Sequence, residues 1–312
     1  MFYFLVDDFI IAGGCTFEEE GEPRFVNNSG NHVAGASLPV VLTIAGFDPS
    51  GGAGIAADLK TLSAHNCYGV ASITALTVQN TLGVSSIYPV EADRLRESVK
   101  ALLEDGRICA FKVGMLGNGA NAEAVAEILS GNRGTPSVLD PVLRSAGGLK
   151  LIDESGLRVL RDKLLPLASV ITPNLEEAAA LTGMPVEGIE DMKAAARELV
   201  SMGAHAVVVT GGHLEKAIDV LYDGENFETF AGERVKPDNT HGTGCTFSAA
   251  IAANLALGRQ LRDAVVLAKV YVTEAIRKAF AVGPGRLPLH HLYRLQQSVA
   301  RLAEPGDPEP VR

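Results

Sequence analysis

The most chemically pointed stretch of this sequence is Asn239-Thr240-His241-Gly242-Thr243-Gly244-Cys245, which runs into a long helical pattern of small residues from Thr246 through Leu257. Successive N–H groups of Gly242, Thr243, Gly244 and Cys245 would converge at a helix N-terminus, where the dipole and the unpaired donors together favour a phosphate. The same position lowers a cysteine pKa. A plainer reading has Thr240 or Thr243 merely capping the helix and Cys245 packing as a small apolar residue.

Other groups could join such a site. Asn174 and Glu177, three apart in Thr172-Pro173-Asn174-Leu175-Glu176-Glu177, suit a hydrated Mg²⁺, although Asn174 taken alone is a plausible helix cap. Asp140, before Pro141, and Met115, after Lys112-Val113-Gly114, end apolar runs where a turn former and a core residue would be ordinary. The glycine-rich segment Gly46-Phe47-Asp48-Pro49-Ser50-Gly51-Gly52-Ala53-Gly54 follows a strand pattern and opens a helix. Its Gly46 and Gly51 have the P-loop spacing, but Gly52 stands where lysine is required, which argues against a Walker-type site. Gly52-Ala53-Gly54-Ile55-Ala56-Ala57 matches G-x-G-x-x-A, yet no acidic residue follows the next strand before Glu91, as a dinucleotide site needs.

These residues need a frame. From Leu38 onward, short β-branched runs at 40–45, 70–74, 111–113, 138–140, 170–172 and 206–210 alternate with amphipathic patterns such as Ala122, Val125, Ala126, Leu129 and Met192, Ala195, Ala196, Leu199. Alternation of this kind predicts a mainly parallel sheet covered by helices on both faces. Nearly every run ends in Gly, Pro, Asp, Asn or Thr, so the candidate residues collect at the carboxyl edge of the sheet, where open α/β sheets bind ligands.

Composition bounds the rest. The chain has 312 residues, 47% hydrophobic, with a formal net charge of -10, enough apolar residues for a sizeable core and a charge that disfavours nucleic acid or an anionic membrane as partner. Four scattered cysteines without C-x-x-C spacing indicate neither a zinc site nor a disulfide framework and fit a reducing compartment such as the cytoplasm. No run of 18 apolar residues suggests a membrane span. Met1 to Ala12 is apolar but carries Asp7 and Asp8 and lacks a basic start, so a signal peptide is not expected. We read 1–37 as an extension, 38–292 as one folded domain and 293–312 as a tail.

Taken together, GFDPSGGAGIAADLKT, ITALTVQNT, KVGML, LDPV, ITPNLEEAAALTG, VVTGGH and NTHGTGCTFSAAIAANLALG resemble the bacterial hydroxymethylpyrimidine and phosphomethylpyrimidine kinases of thiamin biosynthesis, within the ribokinase-like superfamily. The resemblance runs from about Leu38 to about His291. It implies a three-layer α/β sandwich around a mainly parallel sheet, a homodimer, and ATP and Mg²⁺ as cofactors. It also implies two transfers at one site, first to the hydroxymethyl group of 4-amino-5-hydroxymethyl-2-methylpyrimidine and then to the resulting monophosphate. Carried onto matching positions, Gly46, Ala53, Gln79, Met115 and Val142 would form the pyrimidine pocket, with Gln79 pairing to the ring nitrogen and amino group, and Asp58 facing the hydroxymethyl or phosphate end.

Asp140, Asn174 and Glu177 would belong to the Mg²⁺ and phosphate region, with Thr210, Gly212 and Lys269 contacting ATP. The amides of Gly242, Thr243, Gly244 and Cys245 would hold the transferring group, and Cys245 would accept the hydroxyl proton, a duty that matters less when the acceptor is already a phosphate. The Ser145-Ala146-Gly147-Gly148 stretch lacks the lysine of some relatives and is glycine-rich enough to move. No fused thiamin-phosphate synthase domain is expected, since the sequence runs out soon after the kinase region. Two rivals stay open: a pyridoxal kinase, whose ligand shares a hydroxymethyl on a six-membered nitrogen ring, and a catalytically silent metabolite-binding protein.

Overall fold

A computed structural model describes residues 38–212, 217–232, 234–236 and 240–295. The extension and tail read from the sequence, and Asn239 of the candidate anion loop, fall outside these residues in whole or in part. Eleven strands and eight α-helices follow in the order β1 Val40–Phe47, α1 Gly54–Ala64, β2 Tyr68–Asn80, β3 Gly83–Pro89, α2 Ala92–Asp105, β4 Ala110–Val113, α3 Gly119–Ser130, β5 Ser137–Leu139, α4 Glu154–Val159, β6 Val170–Ile171, α5 Leu175–Thr182 and α6 Ile189–Ser201 among the described residues. Then come β7 Val207–Gly211, β8 Ala217–Tyr222, β9 Phe227–Gly232, β10 Thr240–His241, α7 Thr243–Ala256, α8 Leu261–Arg277 and β11 Leu287–Pro288. The helical path of α4 continues through a π turn at Leu160–Leu164 and a 3₁₀ turn at Leu165–Leu167.

The first nine strands form one sheet in the order β3-β2-β1-β4-β5-β6-β7-β8-β9. From β2 to β7 every pairing is parallel, and β3, β8 and β9 add antiparallel edges. Side chains alternate across a strand, and here the alternation sorts the core into two layers. Leu42, Ile44, Phe111, Val113, Leu139, Ile171, Val207 and Val209 pack with α2, α3, α5 and α6 on one face. Val41, Ala110, Val138, Val170 and Val208 pack with α1, α7 and α8 on the other. The expected three-layer α/β arrangement follows, with Thr43 and Lys112 pointing into the second layer in step with Val41 and Ala110.

Helix α7 runs through the middle of that second layer. Ten of its residues, Thr246 to Asn254 without a break and then Ala256, are buried, and its run of alanines lets it sit between α1, α8 and the sheet. The chain order reverses direction at β1, which has β2 on one side and β4 on the other, so the carboxyl ends of these two strands open a crevice. Strand β2 is much longer than the 70–74 run anticipated from the sequence. Its parallel pairing with β1 runs on to Leu76 past a register shift after Ala45, and from Ala75 onward it also forms a hairpin with β3, alternating exposed Leu76 and Val78 with half-buried Thr77 and Gln79. No helix among the described residues is long and apolar enough to cross a membrane.

Candidate active site

One cavity of about 960 Å³ lies along the carboxyl edge of the sheet, from the β2–β3 hairpin past β1, β4 and β5 to the β7–β8 edge. The structure brings to its walls Gly46, Ala53, Gln79, Met115, Val142, Asp140, Asn174, Glu177, Thr210, Gly212, Lys269, Gly242, Thr243, Gly244 and Cys245. Asp58 is the one residue assigned to the site from the sequence that does not reach it.

The anion loop is built by backbone conformation. Gly242 adopts φ +85° as the N-cap of α7, and a Cβ there would overlap the carbonyl oxygen of Gly52, so only glycine fits. No side chain among the described residues caps this helix, where Thr240 and Thr243 face each other at 3.2 Å, and the first-turn N–H groups have no acceptor inside the helix. Thr246 secures the turn from behind by donating its N–H and hydroxyl to Gly242 O. The plainer reading of this motif as a side-chain cap therefore does not describe it.

Behind the loop lies a cluster of buried charge. Lys112 is 0% exposed, with Nζ 3.0 Å from Asp58 Oδ2 and 4.0 Å from Asp140 Oδ2. Burial opposes its charge, but Asp58 first and then Asp140 outweigh that and keep the ammonium protonated. Asp58 also accepts from the Thr43 hydroxyl at 2.6 Å and is fully buried, so the expectation that it faces the substrate is corrected: it anchors Lys112 from the far side. The reason is its place on α1, whose inner face packs onto β1 instead of opening to the crevice.

Cys245 departs from expectation in its chemistry. Desolvation pushes its thiol up to about 12, with Asp140 and Asp58 adding to the rise and Lys112 and the Gly54 N–H opposing it. A helix N-terminus lowers a thiol pKa where the thiolate is solvated or faces net positive charge; here two carboxylates sit around one ammonium.

Asp140 is also raised, by burial and by Asp58, against Lys112 and the hydroxyl of Ser248 at 3.1 Å. Glu177 is pushed up to about 8, by burial first and then by Asp140. Asn174 caps α5 in a reciprocal box: Oδ1 accepts from Glu177 N and Glu177 Oε2 accepts from Asn174 N, both at 2.9 Å. The cap thus uses one oxygen of each residue and holds Glu177 beside Asp140 at the cavity wall.

At the far end, Thr210 N donates to Pro173 O at 2.9 Å, and Lys269 reaches from α8 to Asp219 Oδ2 at 2.6 Å and Ala217 O at 3.0 Å. Asp219 in turn accepts from Gly211 N at 3.1 Å. Lys269 is therefore an ion-paired group on the cavity wall.

The end beside the hairpin has a different character. Met115 packs against Ala75 and Leu151 with Val142 and Ile87 alongside, and Gly46 leaves room for it, because a Cβ there would lie 2.8 Å from Met115 Sδ. Asp48 organises the glycine-rich loop by accepting from Ser50 N at 2.8 Å, Ser50 Oγ at 2.7 Å, Gly52 N at 3.2 Å and Ala53 N at 2.9 Å. Those donors are consumed within the loop, which is the physical reason it does not cradle a phosphate as a P-loop does. Burial raises the Asp48 carboxyl, yet the bonds from His241 and Ser50 prevail and hold it below the usual range.

His241 Nε2 lies 2.9 Å from Asp48 Oδ2 and 2.8 Å from the Gln79 amide nitrogen. The sequence reading assigned no role to Asp48 or His241. Their signal was present, Asp48 inside the glycine-rich loop and His241 beside the anion loop, but they lie 193 positions apart and only folding brings them together.

The phosphomethylpyrimidine kinase family matches this chain over residues 48–290. The hydroxymethylpyrimidine/phosphomethylpyrimidine kinase of Aquifex aeolicus is 42% identical over 248 residues, covering 79% of this chain and 97% of that protein. The thiamine biosynthesis bifunctional protein ThiED of Geobacter sulfurreducens is 44% identical over 254 residues, 81% of this chain, which spans only 52% of the length of that protein. Among solved structures, the ADP complex of Bacillus subtilis pyridoxal kinase superposes with a TM-score of 0.76 at 38% identity, covering 83% of this chain and all of that one. On the family match and these identities, the chain belongs to the phosphomethylpyrimidine kinase family.

Proposed function

We propose that this kinase transfers the terminal phosphoryl group of ATP to the hydroxymethyl group of 4-amino-5-hydroxymethyl-2-methylpyrimidine, and then phosphorylates the monophosphate to the diphosphate, as a step of thiamin biosynthesis in the cytoplasm. The observation that carries the reading is the continuity of the cavity: Gln79, an amide suited to a ring nitrogen and its neighbouring amino group, shares it with the anion loop at Gly242–Cys245. The volume of about 960 Å³ is ample for a small ring together with a nucleotide.

The residues present fit a divalent cation. Asp140 and Glu177 are neighbouring carboxylates on the cavity wall, both raised by burial first and then by the other carboxylates near them. That combination suits Mg²⁺, which retains water and phosphate ligands. Asp140 and Glu177 would hold it; Asn174, read from the sequence as a third ligand, spends its Oδ1 on the Glu177 N–H and would instead fix the Glu177 side chain. Magnesium-bound ATP would supply the phosphoryl group and part of the neutralising charge.

The chain itself supplies positioning. Backbone N–H groups of Gly242, Thr243, Gly244 and Cys245 aim at the place where charge develops on the transferring group. Thr210, Gly212 and Lys269 line the opposite end, where the nucleotide would lie. Met115, Val142 and Gly46 close on the ring of the acceptor and exclude water from it. Cys245 is placed to take the hydroxyl proton, and because its thiol is protonated at rest, that duty requires it first to release its own proton to solvent. A homodimer is proposed as well: the hairpin leaves Leu76, Val78, Leu82 and Tyr88 between 49% and 69% exposed, an apolar row that a second copy would cover.

A second reading, pyridoxal kinase, is favoured by the resemblance to the Bacillus subtilis enzyme. The deciding measurement is ATP consumption by the purified protein with Mg²⁺ and, in turn, hydroxymethylpyrimidine, its monophosphate and pyridoxal. Turnover of both pyrimidines is the expected result. Turnover of pyridoxal alone would reassign the pocket, and none with any acceptor would leave a silent binding protein.

A further inference from the structure

The hydrogen-bond network around Gln79 admits one consistent placement of its protons. Thr77 Oγ1 lies 2.9 Å from the Phe47 carbonyl oxygen and 3.2 Å from Gln79 Oε1. A hydroxyl has a single proton and a carbonyl oxygen only accepts, so that proton goes to Phe47 and Thr77 presents lone pairs to Gln79. Asp48, charged and already accepting from three backbone N–H groups and the Ser50 hydroxyl, lies 2.9 Å from His241 Nε2. A bare imidazole nitrogen would set lone pair against lone pair there, so Nε2 carries a proton.

Gln79 then faces two conflicts as its atoms stand: its nitrogen opposes a protonated Nε2 at 2.8 Å, and its oxygen opposes the Thr77 lone pairs. A single half-turn of the amide, which exchanges isosteric atoms, removes both. We propose that His241, whose single Nε2 proton is bifurcated between Asp48 Oδ2 and Gln79, holds the Gln79 amide with its oxygen toward the imidazole and its NH₂ toward Thr77, and thereby sets the specificity of the acceptor pocket.

The arrangement is built to stay put. The His241 ring lies against Gly52, where an added Cβ would come within 2.5 Å of Cδ2, and the backbone of His241 pairs with Pro288 through β10 and β11. An amide held this way keeps one N–H and one carbonyl lone pair free for a ligand. That pattern complements a ring nitrogen beside an exocyclic amino group, and it penalises a ring lacking the amino group by leaving the carbonyl unmatched. An amide free to turn would present donor and acceptor in either order and discriminate less.

The proton placement stands on geometry alone, whereas the specificity role rests on the proposed function. Nitrogen-15 spectroscopy of the full-length enzyme labelled at histidine, with His241→Gln to identify the resonance, should show Nε2 protonated without any ligand; a neutral ring protonated at Nδ1 alone would overturn the proposal. Calorimetry should then compare 4-amino-5-hydroxymethyl-2-methylpyrimidine with its 4-deamino analogue. In a His241→Phe variant the affinity ratio between the two should fall by on the order of tenfold, the worth of about one hydrogen bond, while His241→Gln, which retains an amide N–H, keeps most of it. An unchanged ratio in a folded His241→Phe protein would refute the specificity role. A wild-type enzyme with Nε2 protonated that binds neither pyrimidine would remove the proposed function and the specificity role together, leaving the proton placement intact.

Discussion

The two ends of the cavity treat buried carboxylates in opposite ways. At the hairpin end Asp48 is saturated, with four donors from its own loop and a fifth from His241, and its carboxyl is held low. At the anion-loop end Asp140 and Glu177 face each other with Lys112 as the nearby cation, and both carboxyls are raised. A saturated carboxylate stiffens a wall and needs nothing further from solvent or ligand. An under-compensated pair stores an electrostatic demand that a cation and a polyphosphate can satisfy. On the proposed function, the difference would separate an end shaped for recognition from an end charged for reaction.

The comparison can be broken hardest at Gly242. Gly242→Ala must move the loop off the Gly52 carbonyl and out of its positive-φ conformation, so turnover should fall by on the order of 10²–10³-fold, as for loss of an oriented donor at a reacting centre. Acceptor affinity measured without nucleotide should fall less, since the shift reaches the pocket only through the neighbouring His241. Comparable loss of acceptor affinity would show that the two ends do not act separately.

Lys112→Met comes next. It leaves Asp58 buried beside a methyl group, and removal of one partner from a buried ion pair costs about 3–5 kcal/mol. For a chain of this size the melting temperature should drop by roughly 10 °C. Adding Asp58→Asn should recover part of that loss, whereas no recovery would mean that Asp58 contributes little of the strain.

The smallest effect concerns pH. Glu177, with its carboxyl at about 8 against a usual 4.5, is protonated in the metal-free fold at neutral pH, and a cation must displace that proton. Mn²⁺ or Mg²⁺ affinity should therefore rise by up to about tenfold per pH unit until pH 8 and then level off. By the same sign, Glu177 stabilises the metal-free fold at low pH, and that contribution is lost as pH climbs through 8. Pyrimidine affinity, governed by the saturated end, should stay flat across that range, and a parallel slope would erase the contrast.

The strands at 111–113, 138–140 and 170–172 were legible because parallel strands buried on both faces read as unbroken apolar runs. The anion loop was legible because glycines before a small-residue helix leave few alternatives. The hairpin carrying Gln79 was underestimated, since Leu76 and Val78 show the alternation of a two-sided ribbon instead of a continuous apolar run. Asp58 was misplaced because an aspartate on α1 looks the same in sequence whether its helix face meets the crevice or the sheet.

The sequence by itself determined the layers, the sheet edge where the candidate residues collect, the glycine loop ahead of α7 and the family, since each depends on local periodicity or on contiguous motifs. Tertiary structure alone decided which charges pair: Lys112 with Asp58 across 54 residues, His241 with Asp48 across 193 and with Gln79 across 162. Ionisation follows burial and the nearest opposite charge, and both are properties of chain segments brought together by folding. For that reason the thiol of Cys245, expected to be acidic from its place at a helix start, is pushed up to about 12 by its burial first and then by the carboxylates around it.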